Sequence, residues 1–291
     1  MFKGSIVALI TPFKNNKLDE ECYISLVHHH IKNGTSGLVP AGTTGESPTL
    51  NHDEHERVIE LCVKESKGKI PVIAGTGSNS TEEAVSLTKH AEKAGADGAL
   101  VVTPYYNKPT QEGLYQHFKA VAEACPIPVI LYNVPGRTSK NMEPITSLRL
   151  ANDIENIVAI KEAGNNPDQY RELIRKKPDD FLVISGDDDL VLDVILEGGS
   201  GVISVIGQAL VSDFSKMIQM GLKGDSDAAK TIEKRVMPLI ELIFEENNPA
   251  GIKAVLNHMQ LCEDFVRLPL VVATNTLKSK IAAAILQMKS Q

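Results

Sequence analysis

The sequence lacks the features that mark membrane-spanning, secreted and nucleic-acid-binding proteins. No apolar run reaches the roughly 18 residues that a membrane span needs, and the first residues, Met1–Ser5, carry no apolar stretch typical of a signal peptide. The formal net charge of −7 offers no basic face to phosphate groups. We therefore expect a cytoplasmic protein that binds neither membranes nor nucleic acid.

Metal-binding patterns are also scarce. The cysteines at positions 22, 62, 125 and 262 form no C-x-x-C pair, so neither a zinc site nor a disulfide framework is predicted. His28, His29 and His30 lie in a predicted amphipathic helix whose outer face shows two of the three. The run Asp187–Asp189 stands where a helix N-cap belongs. No metal site is therefore expected.

Strand and helix patterns alternate along the first 210 residues. Short apolar segments predict eight buried strands, namely Ile6–Ile10, Gly37–Pro40, Pro71–Ala74, Ala99–Thr103, Pro128–Tyr132, Ile157–Ile160, Phe181–Ile184 and Gly201–Val205. Amphipathic patterns predict helices between several of them, namely Asp19–Lys32, His52–Glu65, Thr81–Lys93, Gln111–Ala124 and Asp168–Lys177, with glycines at 34, 68 and 95 where helices stop.

This alternation defines the expected fold. Strands joined by helices form right-handed parallel units, and a count of eight favours a closed barrel over an open doubly wound sheet. We predict an α/β fold, a (β/α)8 TIM barrel over residues 1–224, with a C-terminal helical extension over residues 225–291. The helices predicted in the extension are Ala228–Glu245, Pro249–Leu261 and Leu270–Lys289.

A lysine follows the sixth predicted strand. With a side-chain period of two, Ile157, Ala159 and Lys161 share one face, so the lysine points the same way as the apolar residues below it. Burial disfavours the charged ammonium, and a neutral amine can attack a carbonyl to form a Schiff base. The alternative is a lysine paired with a nearby carboxylate.

The loop after the second strand, Gly42–Ser47, suits an anion. In a barrel of this kind the chemistry lies at the carboxyl ends of the strands. The glycines let the backbone turn tightly, and the loop presents N–H groups and the hydroxyls of Thr43 and Thr44 to a carboxylate. The alternative is an ordinary glycine-rich turn.

Two further side chains follow the fifth strand. Tyr132 stands beside Lys161, because the fifth and sixth strands are neighbours, and a phenol there can pass protons to and from a substrate held on the amine. Arg137, in a Pro-Gly turn, supplies a positive charge, unless it is an ordinary solvated loop arginine.

Taken together, these motifs resemble the dihydrodipicolinate synthase family of the pyruvate-dependent class I aldolases. The resemblance covers the whole chain and is carried by Gly42–Glu46, Tyr105–Asn107, Tyr132–Thr138, Ile160–Ala163 and Ser185–Asp188. It implies a barrel enzyme of lysine and diaminopimelate biosynthesis that condenses pyruvate with L-aspartate 4-semialdehyde and needs neither a metal nor an organic cofactor. It also implies a homotetramer built from dimers.

The resemblance assigns a role to each candidate. It implies that Lys161 forms the Schiff base with pyruvate, that Thr43 and Thr44 hold the pyruvate carboxylate, that Tyr132 relays protons, and that Arg137 binds the second substrate. The remaining implied residues are Tyr106, reaching a neighbouring subunit's site to complete a relay with Thr44 and Tyr132, and Gly186 and Ile203 in the substrate pocket.

The resemblance also implies inhibition by L-lysine. The loops after strands two, three and four are adjacent, so their carboxylate, amide, phenol and imidazole groups can converge beside the active site. The allosteric set is Ser47, His52, His55, Asn79, Glu83 and Tyr105. Taken singly, these residues also suit helix caps and exposed helix faces.

Two other functions are compatible with parts of the pattern. N-acetylneuraminate lyase and keto-deoxy-sugar aldolases share Lys161 and Tyr132, but a guanidinium at position 137 suits a short substrate with a carboxylate better than a polyhydroxylated sugar. The chain could also be a non-catalytic keto-acid sensor that keeps the pocket. Such a sensor would not need Lys161, Tyr132, Tyr106 and Thr44, so their presence favours an enzyme. One difference from familiar members, Pro249-Ala250-Gly251 in place of a second proline, is expected to affect subunit contacts rather than catalysis.

Overall fold

Eight parallel strands form a barrel around an apolar interior. The computed structural model describes residues 1–289, and the strands are Gly4–Ala8, Gly37–Val39, Ile73–Gly75, Gly98–Val102, Val129–Asn133, Ile157–Glu162, Leu182–Ser185 and Gly201–Ser204. Hydrogen bonds connect them in the order second, first, eighth, seventh, sixth, fifth, fourth and third. A parallel bridge between Leu38 and Val72 joins the two ends of this order. The predicted (β/α)8 barrel is confirmed.

Helices surround the barrel. Those that accompany the strands are Glu20–Lys32, His52–Ser66, Thr81–Ala94, Gln111–Glu123, Pro144–Asp153, Pro167–Lys176, Val191–Leu196 and Val211–Leu222. Short elements also occur, namely the hairpin of Phe13–Lys14 with Lys17–Leu18, the single helical turn Pro135–Thr138, and 3-10 turns at Ser47–Thr49 and Ile206–Gln208. The five helices expected from periodicity are present within a few residues of their predicted limits.

Three of the barrel helices have no counterpart among the predicted ones. Val191–Leu196 has six residues and is largely buried, and Val211–Leu222 also begins without a side-chain cap. Pro144–Asp153 has ten residues and likewise lacks a capping side chain. Val191–Leu196 is shorter than the window that periodicity needs, and all three helices lack the capping side chain that marks a helix start in a sequence.

The strands bury both faces. One face points into the barrel, where side chains such as Ile6, Ile130, Ala159 and Ile184 pack together. The other face packs against the surrounding helices.

The sixth strand departs from a strict period of two. A register shift leaves both Ile157 and Val158 opposite Val129 before Ala159 pairs with Ile130. Ile157 therefore packs with the outer cluster, and the prediction that it shares the face of Ala159 and Lys161 is wrong.

The chain after residue 224 contains three helices, and residues 259–274 lie outside them, so the last helix begins five residues later than predicted. Its helices are Ser226–Glu245, Ala250–His258 and Asn275–Lys289, and they share one apolar cluster with the barrel helix Val211–Leu222. The last two residues of the predicted extension, Ser290 and Gln291, lie outside the described residues. Within residues 1–289 the structure contains no helix that is long and apolar enough to cross a membrane.

Candidate active site

Lys161 and Tyr132 lie side by side where their strands end. They pair in register across the fifth and sixth strands, and the Lys161 Nζ lies 4.2 Å from the centre of the Tyr132 ring. Both side chains are 6% exposed. Neighbouring Cα positions in parallel strands direct side chains to the same face, so this pair follows directly from the barrel register.

The Lys161 amine has no carboxylate partner. No ion pair or hydrogen bond reaches it from any residue in the described range 1–289, so the alternative of a lysine paired with a carboxylate is wrong. The Lys161 charge still acts at longer range. Burial raises the pKa of both Asp187 and Asp188, and the charge of Lys161 opposes that rise.

Gly186 lies against the lysine stem. A Cβ at this position would lie 2.9 Å from Lys161 Cε and 2.6 Å from the Ala163 Cβ, which only glycine avoids. Ile203 is fully buried among the barrel interior side chains that also include Tyr132 and Ile184. The structure therefore places both of these candidates around the Lys161–Tyr132 pair.

The Gly42–Ser47 loop turns tightly beside the first strand. Its Gly45 carbonyl accepts a 2.6 Å hydrogen bond from Thr11 Oγ1, and a Cβ at Gly45 would lie 3.0 Å from the Leu9 carbonyl oxygen. The main-chain N–H groups of Thr43 and Thr44 donate to no acceptor within residues 1–289. Free N–H groups at such a turn suit a carboxylate.

The side chain of Thr44 is buried, and its Oγ1 accepts a 2.9 Å hydrogen bond from Nδ2 of Asn248. Asn248 directly precedes the run Pro249-Ala250-Gly251, so the C-terminal segment contacts the threonine loop within one chain. A contact across 204 positions leaves no local pattern in a sequence.

Arg137 stands on the single helical turn after the fifth strand. It is exposed, and its Nη2 donates a 3.3 Å hydrogen bond to Asn247 Oδ1. Together with Thr43 and Tyr132 it lines a cavity of about 460 Å³. A positive charge thus faces the same space as the free N–H groups of the threonine loop.

The same cavity continues to most of the predicted allosteric residues. Ser47, His52, His55, Glu83 and Tyr105 line it. Burial lowers the pKa of His55 to about 4, against the opposing effect of the Gly75 main chain, so its imidazole is neutral at pH 7, and both ring nitrogens are buried.

Within this group Glu83 is held in place. It accepts a hydrogen bond from the Ser78 hydroxyl, and its Oε1 lies 3.6 Å from His52 Nε2. Asn79 is not among the described residues that line the cavity, and its Nδ2 donates to the Tyr105 carbonyl at 3.2 Å.

Tyr106 points away from its own barrel. Its side chain is 90% exposed and its φ is +69°, a conformation that costs energy for a bulky residue. The Tyr106 side chain therefore does not pack against the rim of its own barrel.

A buried polar layer lies behind Lys161, and sequence reasoning missed it. Glu162 points to the opposite side of the strand from Lys161 and accepts hydrogen bonds of 3.0 Å from Asn133 Nδ2 and 2.9 Å from Gln169 Nε2. Burial raises its pKa to about 7, against the opposing effect of these amides. Glu162 and its two amide partners lie on three separate elements, so they form no linear motif.

The histidine run lies on one helix, with its side chains on different faces. His30 is buried while His28 is exposed and His29 half-buried, as the amphipathic pattern predicted.

The aspartate run Asp187–Asp189 does not cap the following helix. Asp188 instead accepts hydrogen bonds from the main-chain N–H groups of Val205 and Ile206 at 3.0 and 2.8 Å, because that turn brings two free donors against its carboxylate.

Comparison with known proteins agrees with this geometry. The model of the dihydrodipicolinate synthetase family matches residues 1–288. A 4-hydroxy-tetrahydrodipicolinate synthase from Pelagibacter ubique is 54% identical over 288 residues, 98% of each chain.

Solved structures of the same family share the fold of this chain. Dihydrodipicolinate synthase from Acinetobacter baumannii, complexed with pyruvate, superposes with a TM-score of 0.97 at 42% identity over 99% of both chains. The enzyme from Cyanidioschyzon merolae, with lysine bound, gives 0.96 at 40% identity over 100% of this chain and 99% of that one. The chain therefore belongs to the dihydrodipicolinate synthetase family.

Proposed function

We propose that Lys161 carries pyruvate as a Schiff base. The chain is a lyase that condenses pyruvate with L-aspartate 4-semialdehyde to give 4-hydroxy-tetrahydrodipicolinate, the first committed step of diaminopimelate and lysine biosynthesis. The observation that carries the assignment of Lys161 is its unpaired amine, buried 4.2 Å from the centre of the Tyr132 ring at the barrel rim.

The chemistry follows from that amine. Lys161 attacks the keto carbon of pyruvate and water leaves, so that a protonated imine forms. The imine draws electrons from the methyl group, which loses a proton and becomes an enamine. The enamine carbon attacks the aldehyde, and the amine of the second substrate then cyclises onto the imine carbon and releases Lys161.

Neighbouring groups support these steps. Thr43 and Thr44 hold the pyruvate carboxylate through their free N–H groups and the Thr43 hydroxyl, with Gly186 and Ile203 shaping the pocket. Tyr132, Thr44 and a partner's tyrosine at position 106 relay the protons. A coupled assay of pyruvate with aspartate semialdehyde tests the reaction. Turnover with N-acetylneuraminate but not with aspartate semialdehyde would contradict it.

Arg137 is assigned to the carboxylate of the second substrate. We expect Arg137→Ala to raise the KM for aspartate semialdehyde about 10- to 100-fold, because a hydrogen bond to a charged group contributes ~1.5–3 kcal/mol. Pyruvate labelling should stay nearly unchanged. The control is Arg175→Ala, which removes an exposed arginine in the last turn of the helix Pro167–Lys176 and should leave the KM unchanged. Equal losses for both substrates would argue against the assignment.

L-Lysine is proposed as an inhibitor that binds beside the active site. The Glu83 carboxylate suits the ligand's ammonium, and the ligand's carboxylate is offered polar groups by Ser47, His52, His55 and Tyr105. Asn79 holds Tyr105 through its hydrogen bond to the Tyr105 carbonyl. The cavity is continuous with the space that Arg137 and Tyr132 line. A coupling of ~1–3 kcal/mol between the two sites suffices for measurable inhibition.

A lysine titration tests this regulation. The parent enzyme should lose turnover at millimolar lysine, and Glu83→Ala should abolish the inhibition while keeping turnover. Glu82→Ala, an exposed neighbour on the same first turn, should remain inhibited. Full activity of the parent at millimolar lysine would reject the proposal.

Assembly is proposed to complete the site. Tyr106 is 90% exposed, which supports a role in a partner's site, so that a dimer is the active unit and two dimers form a homotetramer. We also propose that residues 1–224 act as the catalytic barrel, that residues 225–291 form its helical extension, and that the enzyme works in the cytoplasm.

Mixing two inactive variants tests the shared site. Tyr106→Phe and Lys161→Met proteins should regain up to about a quarter of parental activity, because half of randomly mixed dimers are hybrids and each hybrid has one intact site. The control is each variant refolded alone. Hybrids verified by mass spectrometry that recover no activity would contradict the exchange of Tyr106.

A further inference from the structure

The C-terminal segment contributes a side chain to the threonine loop. Asn248 and Thr44 are 4% and 2% exposed, and the 2.9 Å hydrogen bond from Asn248 Nδ2 to Thr44 Oγ1 joins them. In the described part of the chain the Thr44 hydroxyl has no second hydrogen-bond partner. This contact is thus the one fixed constraint on the hydroxyl of Thr44 within residues 1–289.

A buried clamp holds the two segments together. Lys253 Nζ lies 2.5 Å from Glu46 Oε1, with both side chains fully buried, and it also donates to the Phe265 carbonyl at 2.8 Å. The other carboxylate oxygen of Glu46 accepts from Arg267 N at 3.0 Å. Since Glu46 is two residues after Thr44, and Lys253 five residues after Asn248, the clamp fixes the distance between the amide and the hydroxyl.

The direction of this hydrogen bond decides where the Thr44 proton goes. An amide nitrogen can only donate, so Thr44 Oγ1 is the acceptor and its single proton stays available for another group. An amide rotated by half a turn would accept that proton and remove it from the active site. The orientation of Asn248 therefore sets the direction of the hydroxyl.

We propose that Asn248 is a positioning residue of the active site, which orients the Thr44 hydroxyl so that its single proton is donated toward Tyr132. This inference rests on the proton relay proposed above. It assigns to the C-terminal segment a part in catalysis that no residue of the barrel supplies in the described structure.

Two substitutions of Asn248 test the direction. Asn248→Ala should lower kcat about tenfold, the effect of one hydrogen bond. Asn248→Asp should lower kcat further, because a carboxylate only accepts and takes the Thr44 proton. Asn257 is an exposed asparagine on the helix Ala250–His258, which follows Asn248, and Asn257→Ala should keep parental kcat. An Asn248→Asp enzyme with parental kcat would overturn the proposal.

A double-mutant cycle decides the matter even if Asn248→Asp does not fold. In a Thr44→Val background, which has no hydroxyl, Asn248→Ala should change kcat by less than about twofold. The same tenfold loss in both backgrounds would show that Asn248 acts elsewhere and would overturn this inference alone.

Failure of the underlying reaction has a different signature. A parent enzyme without turnover of pyruvate and aspartate semialdehyde overturns the proposed function, and Thr44→Val at parental kcat overturns the relay. Either result removes the basis of the Asn248 assignment, whereas loss of kcat in Thr44→Val with a non-additive cycle supports it. Thermal unfolding of each variant confirms that kcat is compared between folded proteins.

Discussion

A Lys161→Met enzyme is expected to fold and to lose turnover by roughly 10³-fold or more, because removal of the nucleophile removes the covalent route. The fold should survive, since the amine makes no ion pair or hydrogen bond with any residue in 1–289. Methionine is neutral and similar in volume, and it fits beside the Tyr132 ring and under Gly186. Steady-state kinetics and thermal unfolding measure the two effects.

Lys89→Met is the matched control for this substitution. Lys89 lies on the exposed side of the helix Thr81–Ala94 and forms no ion pair with the described residues. It should keep parental turnover. A Lys161→Met enzyme within tenfold of parental turnover would exclude Schiff-base catalysis at this residue.

Lys253→Met should lower the free energy of unfolding by about 3–5 kcal/mol, because removal of one member of a buried ion pair leaves the other charge unpaired. Among the substitutions considered, only Lys161→Met is expected to have a larger effect. Glu46 would then be fully buried without its ammonium partner. Burial lowers the pKa of Lys253 against the opposing effect of Glu46, which shows how strongly the charge depends on its partner. Urea titration at pH 7 measures the change.

An exposed ion pair supplies the control for Lys253. Lys280 and Glu245 lie 2.6 Å apart with about half of each side chain exposed (49% and 41%), so Lys280→Met should stay within about 1 kcal/mol of the parent. A Lys253→Met protein as stable as Lys280→Met would show that the clamp does not hold the C-terminal segment to the barrel.

The sequence was most informative where function and local pattern coincide. Lys161 and Tyr132 each end an apolar strand, so period and strand count alone predicted that they lie together. Gly186 and Arg137 were found through motifs in the turns after their strands. The barrel itself followed from eight apolar segments with helices between them, because parallel strands need covering on both faces.

Contacts between distant segments were not predictable. Asn248 and Lys253 reach the threonine loop from more than 200 positions away, and neither position has an unusual local pattern. Glu162 was visible in the sequence as the neighbour of Lys161, but its amide partners come from separate elements. The shift at Ile157 also gave no signal, since a bulge in an all-apolar strand changes which face each residue takes but not the composition.

Borohydride trapping of pyruvate on the parent protein tests the central claim most directly. Reduction of the imine should leave a stable adduct on Lys161, and trypsin should then fail to cleave after it, so that the label appears in the peptide Leu150–Arg171. Lys161→Met should carry no label. An adduct mapped to another lysine, or a parent protein that takes up none, would contradict the account.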